Sequence, residues 1–167
     1  MPSTHDYQED ARNQDIQVYI NGNFFHRSKA YVSVLDSGFL LGDGVWEGIR
    51  LHNGKLLHLD DHLDRLFTGA DEIALKINRS KDEVKEIIYK TVEKNKMFSD
   101  VHIRLIVSRG LKKTPYQHPK VTIGEPTIVI IPEYKKPDLS VSVEGIKLAV
   151  VSTLRDNRVQ NPHINSL

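Results

Sequence analysis

The chain has 167 residues, no cysteine, 27% charged residues and a formal net charge of +1. Without cysteine, disulfides, thiolate metal ligands and a thiol nucleophile are excluded for this sequence. The 23 basic and 22 acidic residues are interspersed, which gives no electrostatic footprint for nucleic acid or an anionic membrane. No apolar run approaches the roughly 18 residues needed to span a bilayer. Composition therefore predicts a soluble, cytoplasmic protein with small-molecule partners.

The first part of the chain shows the pattern of β-strands joined by tight turns. Residues 1–15 are polar and predict a disordered start. Residues 16–20 and 45–52 read as strands, and each is followed by an asparagine-glycine pair. This pair tolerates positive φ and favours two-residue hairpins. Two such turns so close together predict an antiparallel sheet.

The pattern then changes to that of helices. Apolar residues recur at steps of three and four from Leu63 to Ile77, and Asp60 is the predicted N-cap of this helix. A second helix is predicted from Ser80, because Ser80 and Glu83 have the spacing of a capping box. Two helices are thus expected beside the sheet.

Three later runs are rich in β-branched residues and predict strands at residues 102–108, 127–131 and 146–153. Residues 132–138 are polar and contain proline, which is typical of a connection between domains.

The predicted fold class is α+β, with a small antiparallel sheet and two helices over residues 16–136. Residues 137–167 are predicted to be a linker and the start of an incomplete second domain. A lone strand cannot bury its own faces, so the chain is expected to be a fragment of a longer protein.

Arg65 lies on the first predicted helix and is suited to hold a phosphate, because a guanidinium binds two oxygens at once and stays charged. The alternative is a surface pair with Asp61, four residues earlier, and the residues alone favour that pair. The turn Gly42-Asp43-Gly44 could bring backbone amides near an anion, but a simple turn before a strand is favoured.

Arg104 lies among apolar residues of a predicted strand and needs an anionic partner, either a substrate carboxylate or a structural acid. His58 and His62 stand four residues apart, without the glutamate of a metalloprotease motif between them. No metal site is predicted.

Three motifs resemble the fold-type IV pyridoxal-phosphate enzymes: VSVLDSGFLLGDGVWEGIRL, HLDDHLDRL and HIRLIVSRG, in this order. This family holds branched-chain aminotransferases, D-amino acid aminotransferases and aminodeoxychorismate lyases, and the resemblance runs from residue 16 to the end of the chain. It implies a small α+β domain, a linker and a larger domain, with pyridoxal 5'-phosphate between the domains of a homodimer.

The resemblance also implies roles for single residues. Arg65 would bind the cofactor phosphate, which reverses the preference for a surface pair. Trp46 and Leu41 would line the substrate pocket, and Arg104 would reach the side-chain carboxylate of glutamate. Asn165 stands where relatives often carry the catalytic lysine, so this lysine is either displaced to beyond these 167 residues or lost.

The implied function is that of the amino-terminal portion of a class IV aminotransferase, which moves an amino group between a branched-chain or D-amino acid and a 2-oxo acid. The alternatives are an enzyme of the aminodeoxychorismate lyase type and a non-catalytic truncated remnant. Because an asparagine amide cannot attach the cofactor covalently, this chain alone is expected to be inactive.

Overall fold

One antiparallel sheet with two long helices on one face dominates the computed structural model, which describes residues 9–152 and 164–167. The strands are β1 (Gln17–Ile20), β2 (Asn23–His26), β3 (Gly44–His52), β4 (Lys55–Leu56), β5 (Val101–Ser108) and β6 (Thr127–Tyr134). The helices are α1 (Ser37–Leu41), α2 (Leu59–Glu72), α3 (Lys81–Lys94) and α4 (Ser140–Glu144). The strand order is β2-β1-β6-β5-β3-β4. The predicted α+β class is confirmed, and α1 and α4, of five residues each, are additional to the two predicted helices.

Both asparagine-glycine pairs form the predicted hairpins. Asn21 and Gly22 join β1 to β2 with φ values of 43° and 95°, and Asn53 and Gly54 join β3 to β4 with 48° and 75°. Positive φ at both central residues gives the turn the twist of the strands it joins.

Alternation along the central strands gives the sheet two different faces. Ile49, Ile103 and Ile130 are fully buried in the core that the sheet forms with α2 and α3. The residues that alternate with them lie on the other face of the sheet, which we call the open face: Trp46, Gly48, Arg50, His102, Arg104, Ile106, Val129 and Ile131. Within the described ranges, no helix has the length and apolarity required to cross a membrane.

The start of α2 differs from the prediction. Leu59 is its first residue and His58 takes the cap position with φ 51°, without a side-chain cap bond. The predicted N-cap, Asp60, lies instead within the first turn, where a carboxylate is stabilised by the helix dipole. The capping box of α3 is confirmed by the reciprocal bonds of Ser80 and Glu83, at 3.1 and 2.7 Å.

Two predictions for the later part of the chain are wrong. The connection predicted at residues 132–138 begins only after Tyr134, because β6 stays in register with β5 up to that residue. No strand forms at residues 146–152, and Thr153 lies outside the described residues. Leu148 and Val150 are almost fully exposed there, since β-branched residues form a strand only where a neighbouring strand pairs with them.

The disordered start predicted for residues 1–15 is wrong over its last part. Ala11–Asp15 form a 3₁₀ turn, and Asn13 is buried against β6. The Asn13 amide donates to the carbonyl of Tyr134 at 2.9 Å, and its oxygen accepts from the Tyr134 amide at 2.7 Å. A side chain that binds a strand backbone in this way leaves no apolar period in the sequence.

Candidate functional site

Glu47 is a fully buried carboxylate on the helix side of β3, with 0% of its side chain exposed. It points inward because it alternates with the open-face residues of the strand. Two side chains of α2 meet its oxygens. Arg65 donates from Nε to Oε1 at 2.6 Å and from Nη2 to Oε2 at 2.7 Å, and Nδ1 of His62 lies 2.7 Å from Oε2.

His62 and Arg65 are three residues apart and therefore share one face of α2. The 2.7 Å contact assigns the proton to Nδ1 of His62, as a donor to Glu47. The 3.5 Å approach of Arg65 Nη2 to the same nitrogen then joins two donors and is no hydrogen bond. The bonds to Glu47 raise the pKa of Arg65 further above its usual value. Asp61 pairs with His58 instead, so the surface pair between Arg65 and Asp61 is not found.

Arg65 keeps one edge of its guanidinium open. Glu47 occupies the Nε–Nη2 edge, and Nη1 has no hydrogen-bond partner among the described residues. The side chain of Arg65 is 46% exposed, which leaves room for a ligand to approach it. Two parallel N–H groups on one edge suit a phosphate or a carboxylate. The geometry of Arg65 therefore fits an anion while Glu47 holds the other edge.

Residues 164–167 lie along the free edge of β3 beside this cluster. The Trp46 amide donates to the carbonyl of Asn165 at 2.9 Å, and the Leu167 amide donates to the carbonyl of Gly44 at 2.9 Å. The backbone of Asn165 is thereby fixed next to Trp46, one residue away from Glu47 along β3. The structure thus holds the backbone at the position expected for a lysine against Trp46.

A glycine on α2 makes room for this segment. Gly69 lies one turn after Arg65, and a β-carbon there would stand 3.3 Å from Cβ of Ile164. Such a distance is tighter than ordinary van der Waals contact, so a larger side chain would push the segment away. Ile164 therefore packs closely against α2, just before the segment reaches the edge of β3.

The glycine-rich turn before β3 acts as a structural turn. Gly42 ends α1 with φ 65°, and the carboxylate of Asp43 accepts bonds from Nε and Nη2 of Arg109 at 2.7 and 2.9 Å. Arg109 also donates to the carbonyls of Ile73 and Ala74, both at 2.8 Å. These contacts of Arg109 tie the end of α2 to the beginning of β3. The sequence predicted a simple turn at this place but gave no sign of the contacts with Arg109.

Arg104 and Trp46 meet on the open face, with the guanidinium 4.1 Å from the ring centroid. Arg104 forms no ion pair with any described carboxylate, so the structural acid considered for it is not found there. Burial, and then the charges of Arg50, Arg104 and Lys135, lower the pKa of the neighbouring His102 to about 4. His102 is therefore neutral at pH 7.

Leu41 was expected to line the substrate pocket, and Glu47 was not singled out from the sequence. Leu41 ends α1 and is partly exposed, whereas Trp46 and Arg104 lie together on the open face. Sequence reasoning missed Glu47, although a lone acid at an inward position of an alternating strand is a signal for it. In the part of the chain that the structure describes, no three histidine or acidic side chains group as metal ligands.

Comparison with known proteins places these motifs in context. The model of the amino-transferase class IV family matches residues 44–167. Branched-chain-amino-acid aminotransferase-like protein 1 of Arabidopsis thaliana is 37% identical over 149 residues, which are 89% of this chain and 26% of the relative. A putative branched-chain-amino-acid aminotransferase of Methanocaldococcus jannaschii is 37% identical over 153 residues, 91% of this chain and 51% of the relative.

A solved structure shows the same fold. The branched-chain aminotransferase of Thermoproteus uzoniensis, in a crystal with norvaline, matches with a TM-score of 0.60 and 27% identity. The match covers 71% of this chain and 40% of that one. The chain therefore spans about a quarter to a half of the length of the relatives it matches.

Proposed function

Because the chain belongs to the class IV aminotransferase family, we propose that it forms the phosphate-binding wall of a pyridoxal 5'-phosphate-dependent aminotransferase. The proposed reaction moves an amino group between a branched-chain or D-amino acid and a 2-oxo acid. The observation that carries the proposal is the open edge of Arg65, whose other edge is held by the buried Glu47. In this proposal the natural protein is a cytoplasmic homodimer, with residues 16–136 as its small domain and residues 137–167 leading into a larger one.

The residues present fit the phosphate of this cofactor. Pyridoxal phosphate, when bound, supplies an electron-withdrawing ring that eases proton loss from the substrate α-carbon. Arg65 would hold the phosphate with Nη1 and the second proton of Nη2. Glu47 fixes the guanidinium before the ligand arrives, so little side-chain entropy is lost on binding. His62 restrains Glu47 from the other side at 2.7 Å.

Trp46 and Arg104 would form the substrate side of the site. The guanidinium of Arg104 stacks on Trp46 and keeps its charge available, since no described carboxylate neutralises it. A carboxylate on the substrate would meet this charge. His102 adds no positive charge at pH 7, because its pKa is about 4. We assign Leu41 to the rim of the same pocket.

A second candidate function is non-catalytic binding of the cofactor, and Asn165 is the observation that favours it. Its amide cannot attach pyridoxal phosphate covalently, yet its backbone is held at the edge of β3, 2.9 Å from the Trp46 amide. Borohydride reduction of the natural full-length protein separates the two functions. A reduced, covalently attached cofactor together with turnover of amino acids supports the aminotransferase, and bound cofactor without attachment supports the binder.

Arg65→Lys tests the phosphate assignment. Lysine keeps a cation beside Glu47 but lacks the planar fork. The affinity for pyridoxal phosphate should fall about 10- to 100-fold, since one charge-assisted bidentate contact is lost. The affinity for pyridoxal, which has no phosphate, should stay the same. Both are measured by equilibrium dialysis, with Arg79→Lys as the control because Arg79 is exposed. Equal affinity of both variants for pyridoxal phosphate would contradict the assignment.

A further inference from the structure

A cavity of about 530 Å³ lies on the open face of the sheet. Most of its wall is apolar and includes Val18, Ile20, Phe39, Ile106, Val129 and Ile131. Neither Trp46 nor Arg104 lines it, so it is separate from the substrate side proposed above. Clefts that hold small molecules measure about 300–1,000 Å³ and have mostly apolar walls. The volume and the walls of this cavity therefore suit a small molecule with an apolar body.

One end of the cavity offers no free polar group to such a molecule. Asp36 lies at this end, beside the first residue of β6. Its carboxylate accepts three bonds, from the Gly38 amide at 2.8 Å and from the hydroxyls of Ser108 at 2.9 Å and Thr127 at 2.7 Å. Both oxygens are thus engaged within the protein. We expect this end to receive the apolar part of a ligand.

Glu133 supplies a carboxylate near the other end of β6, where it also lines the cavity. It lies on the open face, two residues after Ile131, and is partly buried. Its neighbour across the sheet on β5 is His102, which is neutral at pH 7. Among the residues that the structure describes, Glu133 makes no hydrogen bond and no ion pair. A partly buried carboxylate without a counter-charge favours a cationic group on a ligand.

Arg27 brings a guanidinium to the same end of the cavity. Its amide donates to the carbonyl of Ile16 at 2.9 Å, and its Nη1 donates to the carbonyl of Asn13. The Asn13 side chain binds both backbone groups of Tyr134, the residue after Glu133, at 2.9 and 2.7 Å. These contacts carry the guanidinium from the end of β2 towards the end of β6. Its Nε and Nη2 have no partner within residues 9–152 and 164–167.

We propose that this cavity binds an α-amino acid with a large apolar side chain, as a ligand additional to the substrate. The ammonium group of the amino acid would meet Glu133, its carboxylate would meet Arg27, and its side chain would lie against the apolar wall. A zwitterion matches both charges at this end, whereas an amine or an acid would leave one of them unmatched. No residue of the Arg65 and Glu47 pair takes part, so the inference does not depend on the proposed aminotransferase activity.

Leucine binding to the natural full-length protein, freed of cofactor, tests the ligand class. Equilibrium dialysis compares leucine with alanine, 4-methylpentanoate and 3-methylbutylamine. These three lack, in turn, most of the apolar side chain, the ammonium group and the carboxylate. We expect each to bind about 10-fold more weakly than leucine or worse, because each forfeits one of the three contacts. Equal affinity of leucine and any one of them would overturn the proposal.

Two variants test whether leucine binds in this cavity. Glu133→Gln and Arg27→Gln keep the length of a polar side chain but remove its charge, and each should lower the affinity for leucine about 10-fold. Glu93→Gln is the matched control, because Glu93 is exposed on α3, and it should bind leucine as the wild type does. Wild-type affinity in Glu133→Gln would overturn the proposal.

Crystals of the wild type give a direct measurement that does not depend on the folding of a variant. Free selenomethionine is an apolar amino acid whose selenium can be located by anomalous scattering. In crystals soaked with it, we expect a selenium peak against Val129 or Ile131, with the ammonium group of the ligand at Glu133. An empty cavity in these crystals would overturn the proposal.

Discussion

Replacing Glu47 by glutamine keeps the shape of the side chain and removes its charge. In the native structure three donor groups, two from Arg65 and one from His62, converge on the two carboxylate oxygens of Glu47. A glutamine amide has one acceptor oxygen, and its NH₂ group would face a donor. Glu47→Gln therefore leaves an N–H group unbonded and Arg65 without its counter-charge.

The magnitude follows from burial. Removing one partner of a fully buried ion pair costs about 3–5 kcal/mol. Glu47 is fully buried, but the side chains of Arg65 and His62 are 46% and 22% exposed, so water recovers part of the loss. We expect Glu47→Gln to lower the free energy of unfolding by about 2–3 kcal/mol. In a domain of this size, that loss lowers the melting temperature by about 4–12 °C.

Urea unfolding followed by circular dichroism measures this loss. Glu86→Gln is the matched control, because Glu86 pairs with Lys90 on the exposed side of α3 and its removal should leave the midpoint unchanged. The double variant Glu47→Gln, Arg65→Gln should be less destabilised than the sum of its single changes, since each already breaks the shared contact. A midpoint shift for Glu47→Gln no larger than that for Glu86→Gln would refute the reasoning.

Three further predictions concern the same part of the molecule. Asn165→Lys should attach pyridoxal phosphate covalently, and borohydride should reduce this reversible linkage to a permanent one. If mass spectrometry finds no adduct after a cofactor-loaded variant is treated with borohydride, this placement is disproved. Asp43→Asn should lower the free energy of unfolding by about 2 kcal/mol in urea titrations, because it leaves the mostly buried Arg109 without its counter-charge. The pKa of His102 is about 4 in the folded chain, below the ordinary 6.5, because burial and then neighbouring cations disfavour the charged ring. The unfolded chain therefore takes up a proton that the folded chain does not, and stability should fall by on the order of 2–3 kcal/mol as the pH drops from 6.5 to 4. His102→Phe should flatten this slope, and a folded-state NMR titration midpoint near 6.5 would contradict the assignment.

Signals that depend on neighbours in the sequence predicted the fold well. The two asparagine-glycine hairpins and the Ser80 capping box are confirmed because each is complete within four residues. The strand predicted at residues 146–153 failed over its described residues for the opposite reason. Its β-branched residues are necessary for a strand but not sufficient, since a partner strand must supply the hydrogen bonds.

The site required contacts that sequence spacing does not reveal. The i−4 rule pointed from Arg65 to Asp61, but the actual partner, Glu47, lies 18 residues earlier on β3. A buried carboxylate with two donors is a stronger partner than an exposed one, because little water competes for it. Arg65 was singled out from the sequence, and its partner Glu47 becomes visible only when α2 is packed on the sheet.

The position of residues 164–167 connects the two halves of the proposed site. Trp46 and Glu47 are neighbours in β3, so their side chains point to opposite faces of the sheet. Glu47 holds Arg65 on the helix side, and Trp46 stacks with Arg104 on the open face. A ligand that engages both groups must therefore pass around the free edge of β3, where the backbone of Asn165 is bound. An amine at position 165 would lie at this edge, which is why Asn165→Lys is the substitution expected to allow covalent attachment.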